Sequence, residues 1–211
     1  MRRLPRGRHD GEPHRSLDLR FQEMIAPEEQ ARANFYGLLA RLFYAPPDAA
    51  LLQALSREKL EGEIAQAWEE LKRAAAVADP DALREEYETA FIGTGKAPVT
   101  LYSTAYTIRY SSDAPLAGLR GELARLGLAR HANASEPEDH IAALFDVMRH
   151  LVAEQKSDLA EQRRFFNRWI HPAIDPLCSA IERSDKTVFY KPVARFANGF
   201  CTLEHMAFEM L

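Results

Sequence analysis

Residues 141–152 read IAALFDVMRHLV, and this stretch decides the fold class. Its large apolar side chains recur every three or four positions, at Ile141, Leu144, Phe145, Met148, Leu151 and Val152. That spacing places them along one face of an α-helix, whereas a half-buried strand would alternate apolar and polar residues. The stretch therefore predicts a helix with one face buried in a protein core.

The rest of the chain has the same helical character. Its 211 residues include 33 alanines and 24 leucines, but only 14 valines and isoleucines together. Alanine and leucine are among the strongest helix formers, and strand-rich folds need β-branched residues. We therefore expect an all-α protein, a single-domain helical bundle of roughly eight to ten helices. Residues 1–25 are expected to form a flexible Arg-rich tail, and residues 26–211 the helical domain.

Prolines, glycines and acidic residues predict where individual helices begin and end. Pro27 suits the first turn of the first helix. Asp81 is expected to cap a later helix that runs to about Phe91, and Gly127 to end another. Pro172 is expected to separate two short helices near the end of the chain.

Residues 92–114 depart from this pattern, because they contain Gly, Pro, Thr and Ser without helical spacing. We expect a long non-helical segment that crosses the bundle surface and packs there. Within it Tyr102, Tyr106 and Tyr110 are spaced by four, with Ser103 beside the first. A helical conformation would place these tyrosines on one face. That face is either a wall of the core or the lip of a binding groove, since tyrosine combines apolar area with a hydroxyl.

Charge, cysteine content and hydropathy narrow the class of function. The net charge of −4 and the pI near 6.0 argue against a general nucleic-acid binder. No apolar run reaches the ~18 residues of a membrane span. Arg2 and Arg3 are not followed by the apolar run of an export signal, so we expect a cytoplasmic protein. Cys178 and Cys201 form no CxxC motif and are expected to be buried free thiols.

The strongest functional signal directly precedes the helix-forming stretch, where residues 135–140 read SEPEDH. Ser135 and Glu138 fit a capping box, and the carboxylates suit the positive end of a helix. Asp139 and His140 are not needed for capping. At about 100° per residue, we expect Asp139 to face away from the apolar stripe and His140 to lie at its edge.

Four stretches of the chain together resemble one known family. The most specific is EPEDH at residues 136–140, followed by YETAFIG at 87–93 and LYSTAY at 101–106. Residues 165–172 add FFNRWIHP. They resemble motifs of the TorD/DmsD-type redox-enzyme maturation chaperones, among them E-P-x-D-H and P-Y-E-S-x-Y. The resemblance covers about residues 30–205, and the motifs occur in the same order along the chain. One departure is Leu101, which stands where the family usually has proline.

The resemblance implies a cytoplasmic, non-enzymatic, all-α chaperone. Members bind the apo catalytic subunit of a molybdopterin oxidoreductase and its twin-arginine leader peptide, assist cofactor insertion and delay export. The resemblance implies no membrane span, no nucleic acid and a monomer or homodimer. It implies no catalytic residue, resident cofactor or metal, although weak guanine-nucleotide binding has been proposed for some members. The implied leader- and client-binding residues are Glu136, Pro137, Glu138, Asp139, His140, Tyr102, Ser103, Tyr106, Tyr87 and Phe91.

The residue types are consistent with that role. A twin-arginine leader presents two guanidinium groups followed by an apolar helix-forming run, so its receptor needs carboxylates beside an apolar groove. Asp139, with Glu136 or Glu138, is expected to pair with arginine, while Tyr102 and Tyr106 line the groove. The imidazole of the signature either tunes binding by protonation or is a hydrogen-bonded structural histidine.

Two other functions stay open at this point. One is a helical metal-dependent hydrolase using Asp139 and His140, although neither zinc-ligand spacing nor a nucleophile motif is present. The other is a general helical adaptor without leader specificity. A phosphate loop at residues 93–96 is disfavoured, because GTGK lacks the earlier glycine and the following Ser or Thr, so we expect a turn there.

Overall fold

The computed structural model describes residues 26–93, 97–107, 114–131, 135–153 and 158–211. Within these ranges the regular secondary structure is helical, and the only extended pairing is one isolated antiparallel bridge. The all-α prediction is confirmed. The expectations for the tail of residues 1–25, the turn at 94–96 and Tyr110 lie outside the described residues.

Ten α-helical segments make up the described part of the bundle. They are α1 (Pro27–Tyr44), α2 (Ala49–Arg57), α3 (Ala65–Val77), α4 (Pro80–Tyr87), α5 (Thr104–Thr107), α6 (Pro115–Arg125), α7 (Ile141–Ala153), α8 (Leu159–Phe165), α9 (His171–Arg183) and α10 (Tyr190–Glu209). A π-helical turn at Glu88–Ile92 continues α4, and another at Phe166–Ile170 joins α8 to α9. No helix in the described ranges has the length and apolar content that a membrane crossing requires.

Several predicted helix ends are confirmed and two are wrong. Pro27 opens α1, and Gly127, with a positive φ of 72°, follows the end of α6. Asp79 rather than Asp81 caps α4, because the helix begins at Pro80 and the Asp79 carboxylate accepts from the Ala82 N–H. Pro172 does not separate two helices, because the π-helical turn at Phe166–Ile170 continues directly into α9, whose first turn contains this proline.

The helix pair α1 and α7 forms the centre of the bundle. The Phe145 ring of α7 packs against Tyr36 and Phe43 of α1, with ring centroids 6.2 and 6.1 Å apart. All three side chains are fully buried, as is the predicted apolar stripe of residues 141–152. The two helices are therefore packed directly against each other within the core.

The crossing segment packs on the bundle as expected, with Val99 and Leu101 buried. It is not wholly non-helical, because Thr104–Thr107 forms the single turn α5. Both cysteines are buried free thiols, as predicted. Burial raises the pKa of Cys178 to about 12.

A side chain from α4 caps the start of α10. The Glu86 carboxylate accepts from the backbone N–H groups of Val188, Phe189 and Tyr190, at 2.8, 3.1 and 3.0 Å. These N–H groups lie at the helix start, where intrahelical acceptors are lacking. Glu86 thus connects two helices that are about a hundred residues apart in sequence.

We predict that Glu86→Ala lowers the free energy of unfolding by about 1–3 kcal/mol, because three N–H groups lose a charged acceptor. Glu85→Ala is the matched control, since the exposed neighbour on α4 makes no such contact. Denaturant unfolding followed by circular dichroism measures both. Equal losses in the two variants would contradict the capping role.

Candidate functional site

The EPEDH signature is attached to the crossing segment by its backbone. The Ser103 N–H donates to the Asp139 carbonyl at 2.9 Å, and the Ile141 N–H donates to the Leu101 carbonyl at 2.8 Å. These two bonds form the isolated antiparallel bridge between Tyr102 and His140. The two stretches that carry most of the family resemblance are therefore paired with each other.

Asp139 does not face solvent, contrary to the expectation from helical periodicity. Its side chain is buried, and it accepts a hydrogen bond from the Thr104 hydroxyl. The periodicity argument failed because α7 begins at Ile141, so Asp139 lies in the preceding extended turn. This carboxylate holds the signature to α5.

His140 is buried and caps the start of α7. Its Nδ1 accepts from the Ala142 N–H at 3.3 Å, and its ring packs edge-on against Tyr102. Burial lowers the pKa of His140, against the opposing effects of Glu136 and Asp139, so the imidazole is neutral near pH 7. The predicted capping box is wrong, because the helix starts six residues after Ser135.

Glu136 lies beside a group of tyrosines. The Tyr102 hydroxyl donates to the Glu136 carboxylate at 2.5 Å, and this bond, with burial, raises the pKa of Tyr102 to about 12. Burial, and then the charge of Glu136, raises the pKa of Tyr87 above its usual value. Among these tyrosines, Tyr102 is the one that donates to the Glu136 carboxylate.

Glu138 is held by a guanidinium from α6. The Nε and Nη2 of Arg120 donate to the two carboxylate oxygens of Glu138, each at 3.1 Å. The Nε of Arg130 lies 4.0 Å from the same carboxylate. The Arg120 bond, then the charges of Arg120 and Arg130, hold the pKa of Glu138 below its usual value against a smaller effect of burial.

Glu136, Pro137, Glu138 and His140 line a cavity of about 630 Å³ between α1 and α7. This volume lies within the usual range for ligand pockets, roughly 300–1,000 Å³. The remaining lining residues are Gly37, Ala40, Arg41, Tyr44, Leu123, Leu128, Ala129, Arg130, His131, Ala142, Ala143, Asp146, Val147, Arg149 and His150. Carboxylates of the signature therefore stand beside an opening with many small and apolar side chains.

Sequence reasoning missed the wall that α1 contributes. Gly37 and Ala40 are small residues three apart, and Tyr44, 58% exposed, follows on the same face. A Cβ added at Gly37 would come within 3.0 Å of the Arg149 side chain, so the small residue leaves room for α7. The i, i+3, i+7 spacing of these three residues was the signal available in the sequence.

Other predicted site residues lie outside the cavity. Phe91 and Tyr87 are core residues, and the Tyr87 hydroxyl donates to the carbonyls of Phe43 and Tyr44. Ser103 is buried behind the bridge.

Tyr102 and Tyr106 do not share one helical face, because α5 begins at Thr104 and includes only Tyr106. The Tyr106 hydroxyl donates to the Thr100 carbonyl at 2.8 Å. The helical turn that carries Tyr106 packs on α9. Only Tyr102 of this pair adjoins the cavity, through its bond to Glu136.

A second, smaller cavity of about 310 Å³ lies between α9 and α10. None of the predicted site residues lines it; its walls are Cys178, Ser179, Glu182, Arg183, Ala194, Arg195 and Asn198. Across the described residues, no three His, Cys, Asp or Glu side chains are grouped as a metal site would require.

Comparison with models of protein families assigns this chain to a family. The family model described as "Nitrate reductase delta subunit" matches residues 57–179, more than half of the chain. The protein belongs to the nitrate reductase delta subunit family. Comparison with curated proteins found no match. The matched region includes the crossing segment, the signature and α7, whereas the wall of the cavity that α1 contributes precedes it.

Membership of the nitrate reductase delta subunit family determines the class of function. This is the NarJ/TorD-type chaperone family, which agrees with the resemblance carried by the four sequence stretches. The protein is a molybdoenzyme maturation chaperone and not an enzyme. The hydrolase alternative is not favoured. Members of the family generally have no cofactor of their own.

The neutral state of His140 makes stability depend on pH. Because its pKa is lower in the folded than in the unfolded chain, acidification through pH 6.5 protonates the unfolded chain first and destabilises the fold. We predict that His140→Asn, which keeps an acceptor for the Ala142 N–H but does not titrate, loses less stability than the natural protein between pH 7.5 and 5.5.

Urea unfolding at several pH values measures this difference directly. His171, whose pKa burial also lowers, is common to both proteins, so its contribution cancels in the comparison. If both proteins lose the same free energy of unfolding over this pH range, His140 is not the buried neutral group described here.

Proposed function

We propose that this chaperone binds the twin-arginine leader of an apo molybdopterin oxidoreductase catalytic subunit in the cavity between α1 and α7. It acts in the cytoplasm, where it holds the client until the molybdopterin cofactor is inserted and so delays export. The observation that carries the proposal is the position of Glu136 and Glu138 at an opening that the apolar side chains of Ala40, Ala143 and Val147 also line. A leader has the complementary chemistry, two guanidinium groups followed by an apolar helix.

The apolar run of the leader supplies most of the affinity. Ala40, Ala143 and Val147 offer short side chains, so an incoming helix approaches both α1 and α7 closely. Burying a Leu or Phe side chain contributes about 1.5–3 kcal/mol, whereas an exposed ion pair contributes about 0.2–1 kcal/mol. Tyr44, exposed at the rim, adds a rigid aromatic contact.

The arginine pair of the leader is recognised by Glu138 and Glu136. Both carboxylates line the cavity, whereas Asp139 is buried and bonded to Thr104. We therefore assign Asp139 to holding the signature in place rather than to binding arginine. His140 has a similar positioning role, because its Nδ1 is used by the Ala142 N–H.

A synthetic peptide with an Arg-Arg pair followed by a Leu- and Ala-rich run tests the proposal by isothermal titration calorimetry. We expect the natural protein to bind this peptide more tightly than its Ala-Ala counterpart. Ala143→Phe, which fills the cavity from α7, is expected to weaken binding by roughly tenfold or more, a loss of at least ~1.4 kcal/mol. Helix content and melting temperature should change little.

Ala76→Phe is the matched control, because Ala76 is exposed on α3 and does not line the cavity. It should bind the peptide like the natural protein. Equal binding of the Arg-Arg and Ala-Ala peptides would show an adaptor without leader specificity and contradict the proposal. Unchanged affinity in Ala143→Phe would place the peptide elsewhere.

A further inference from the structure

We propose that Arg120 occupies the arginine-binding position on Glu138 and is displaced when a client's arginine binds. This inference rests on the proposed function and concerns the same cavity. It identifies Glu138 as the carboxylate that receives the client's guanidinium, and Arg120 as an internal competitor that sets the affinity.

The geometry of the pair is that of arginine recognition. Two nitrogens of Arg120 donate to two oxygens of Glu138, each at 3.1 Å. This parallel two-bond arrangement is the form in which an arginine side chain binds a carboxylate most specifically. The fold thus already contains, within one chain, the contact that a twin-arginine peptide would make.

The surroundings of Arg120 favour its release from Glu138. Its side chain is 56% exposed, and within the described residues Glu138 is the only carboxylate that forms an ion pair with it. It does not line the cavity, whereas Glu138, with a side chain only 12% exposed, does. Release of Arg120 therefore transfers its guanidinium to water and leaves the Glu138 carboxylate without its two-bond partner.

Glu138 is not left without a cation when Arg120 leaves. Arg130, which lines the cavity, has its Nε 4.0 Å from Glu138 and donates through Nη1 to the Glu136 carbonyl at 3.3 Å. The Arg130 guanidinium lowers the free-energy cost of releasing Arg120, but it does not form the two-bond contact with Glu138. The incoming arginine restores that contact, so the exchange conserves the number of charge-assisted hydrogen bonds.

Competition from Arg120 lowers the apparent affinity of the protein for the peptide. A competitor held by an exposed ion pair weakens the apparent binding of any rival cation about two- to sixfold. We therefore expect Arg120→Gln to bind the Arg-Arg peptide about two- to sixfold more tightly than the natural protein. Arg125→Gln is the matched control, because Arg125 lies on the same helix but pairs with Glu122 and Glu161, which do not line the cavity.

A variant that lacks the Glu138 carboxylate distinguishes displacement of Arg120 from a general effect of the Arg120 charge. In Glu138→Gln there is no site to compete for, so adding Arg120→Gln should leave the peptide's dissociation constant unchanged. If removal of Arg120 tightens binding equally in both backgrounds, its charge acts only by long-range repulsion and the inference is overturned.

Titration of Glu138 by NMR gives a second, independent readout. In Arg120→Gln the pKa of Glu138 should rise in the free protein, since Arg120 is the largest cause that holds it down. It should fall again when the Arg-Arg peptide binds, but not with the Ala-Ala peptide. A Glu138 pKa that does not respond to the Arg-Arg peptide would overturn the inference.

The failures of the two proposals are distinguishable. If the Arg-Arg peptide binds neither the natural protein nor Arg120→Gln, the proposed function falls and this inference falls with it. If the peptide binds the natural protein with Arg-Arg preference but Arg120→Gln does not alter its affinity, only the inference falls.

Discussion

Two backbone hydrogen bonds hold the site together, from Ser103 to Asp139 and from Ile141 to Leu101. They join a non-helical segment to the residues immediately before α7, the central helix of the bundle. A backbone pairing of this kind fixes direction as well as position, since each residue of one strand has a defined neighbour on the other. The pairing fixes the backbone of residues 139–141 against the crossing segment.

As a consequence, the five residues of the EPEDH signature have two different roles. Asp139 and His140 point inward and secure the turn, through Thr104 and through the first turn of α7 respectively. Glu136 and Glu138 line the cavity. Two carboxylates in the same short motif, Glu138 and Asp139, thus differ in burial and in role because of where the helix begins.

The sequence predicted the helical class, the buried stripe of α7 and several helix ends, because these depend on local spacing and on single residues such as Pro27 and Gly127. It failed for Asp139, because helical periodicity was extended two residues beyond the start of α7. It also failed for Pro172, which lies in the first turn of α9 and does not separate two helices. In both cases the position of a helix boundary decided the outcome.

The sequence predicts the candidate site only in part, for a different reason. Glu136 and Glu138 stand in a recognisable motif, but Gly37 and Tyr44 lie on α1, about a hundred residues earlier. Their relation to the signature exists only through the packing of α1 on α7, which is set by Tyr36, Phe43 and Phe145. Arg120 likewise carries no local signal, since its partner is eighteen residues away.

Photo-cross-linking tests the central claim, that the cavity between α1 and α7 receives the apolar run of a leader peptide. A benzoylphenylalanine is placed in the Leu- and Ala-rich run of the Arg-Arg peptide, and the attachment sites are mapped by mass spectrometry. The account predicts cross-links to residues 37–44 and 142–150, which form the two walls of the larger cavity. Cross-links confined to residues 178–198, around the smaller cavity between α9 and α10, would contradict it.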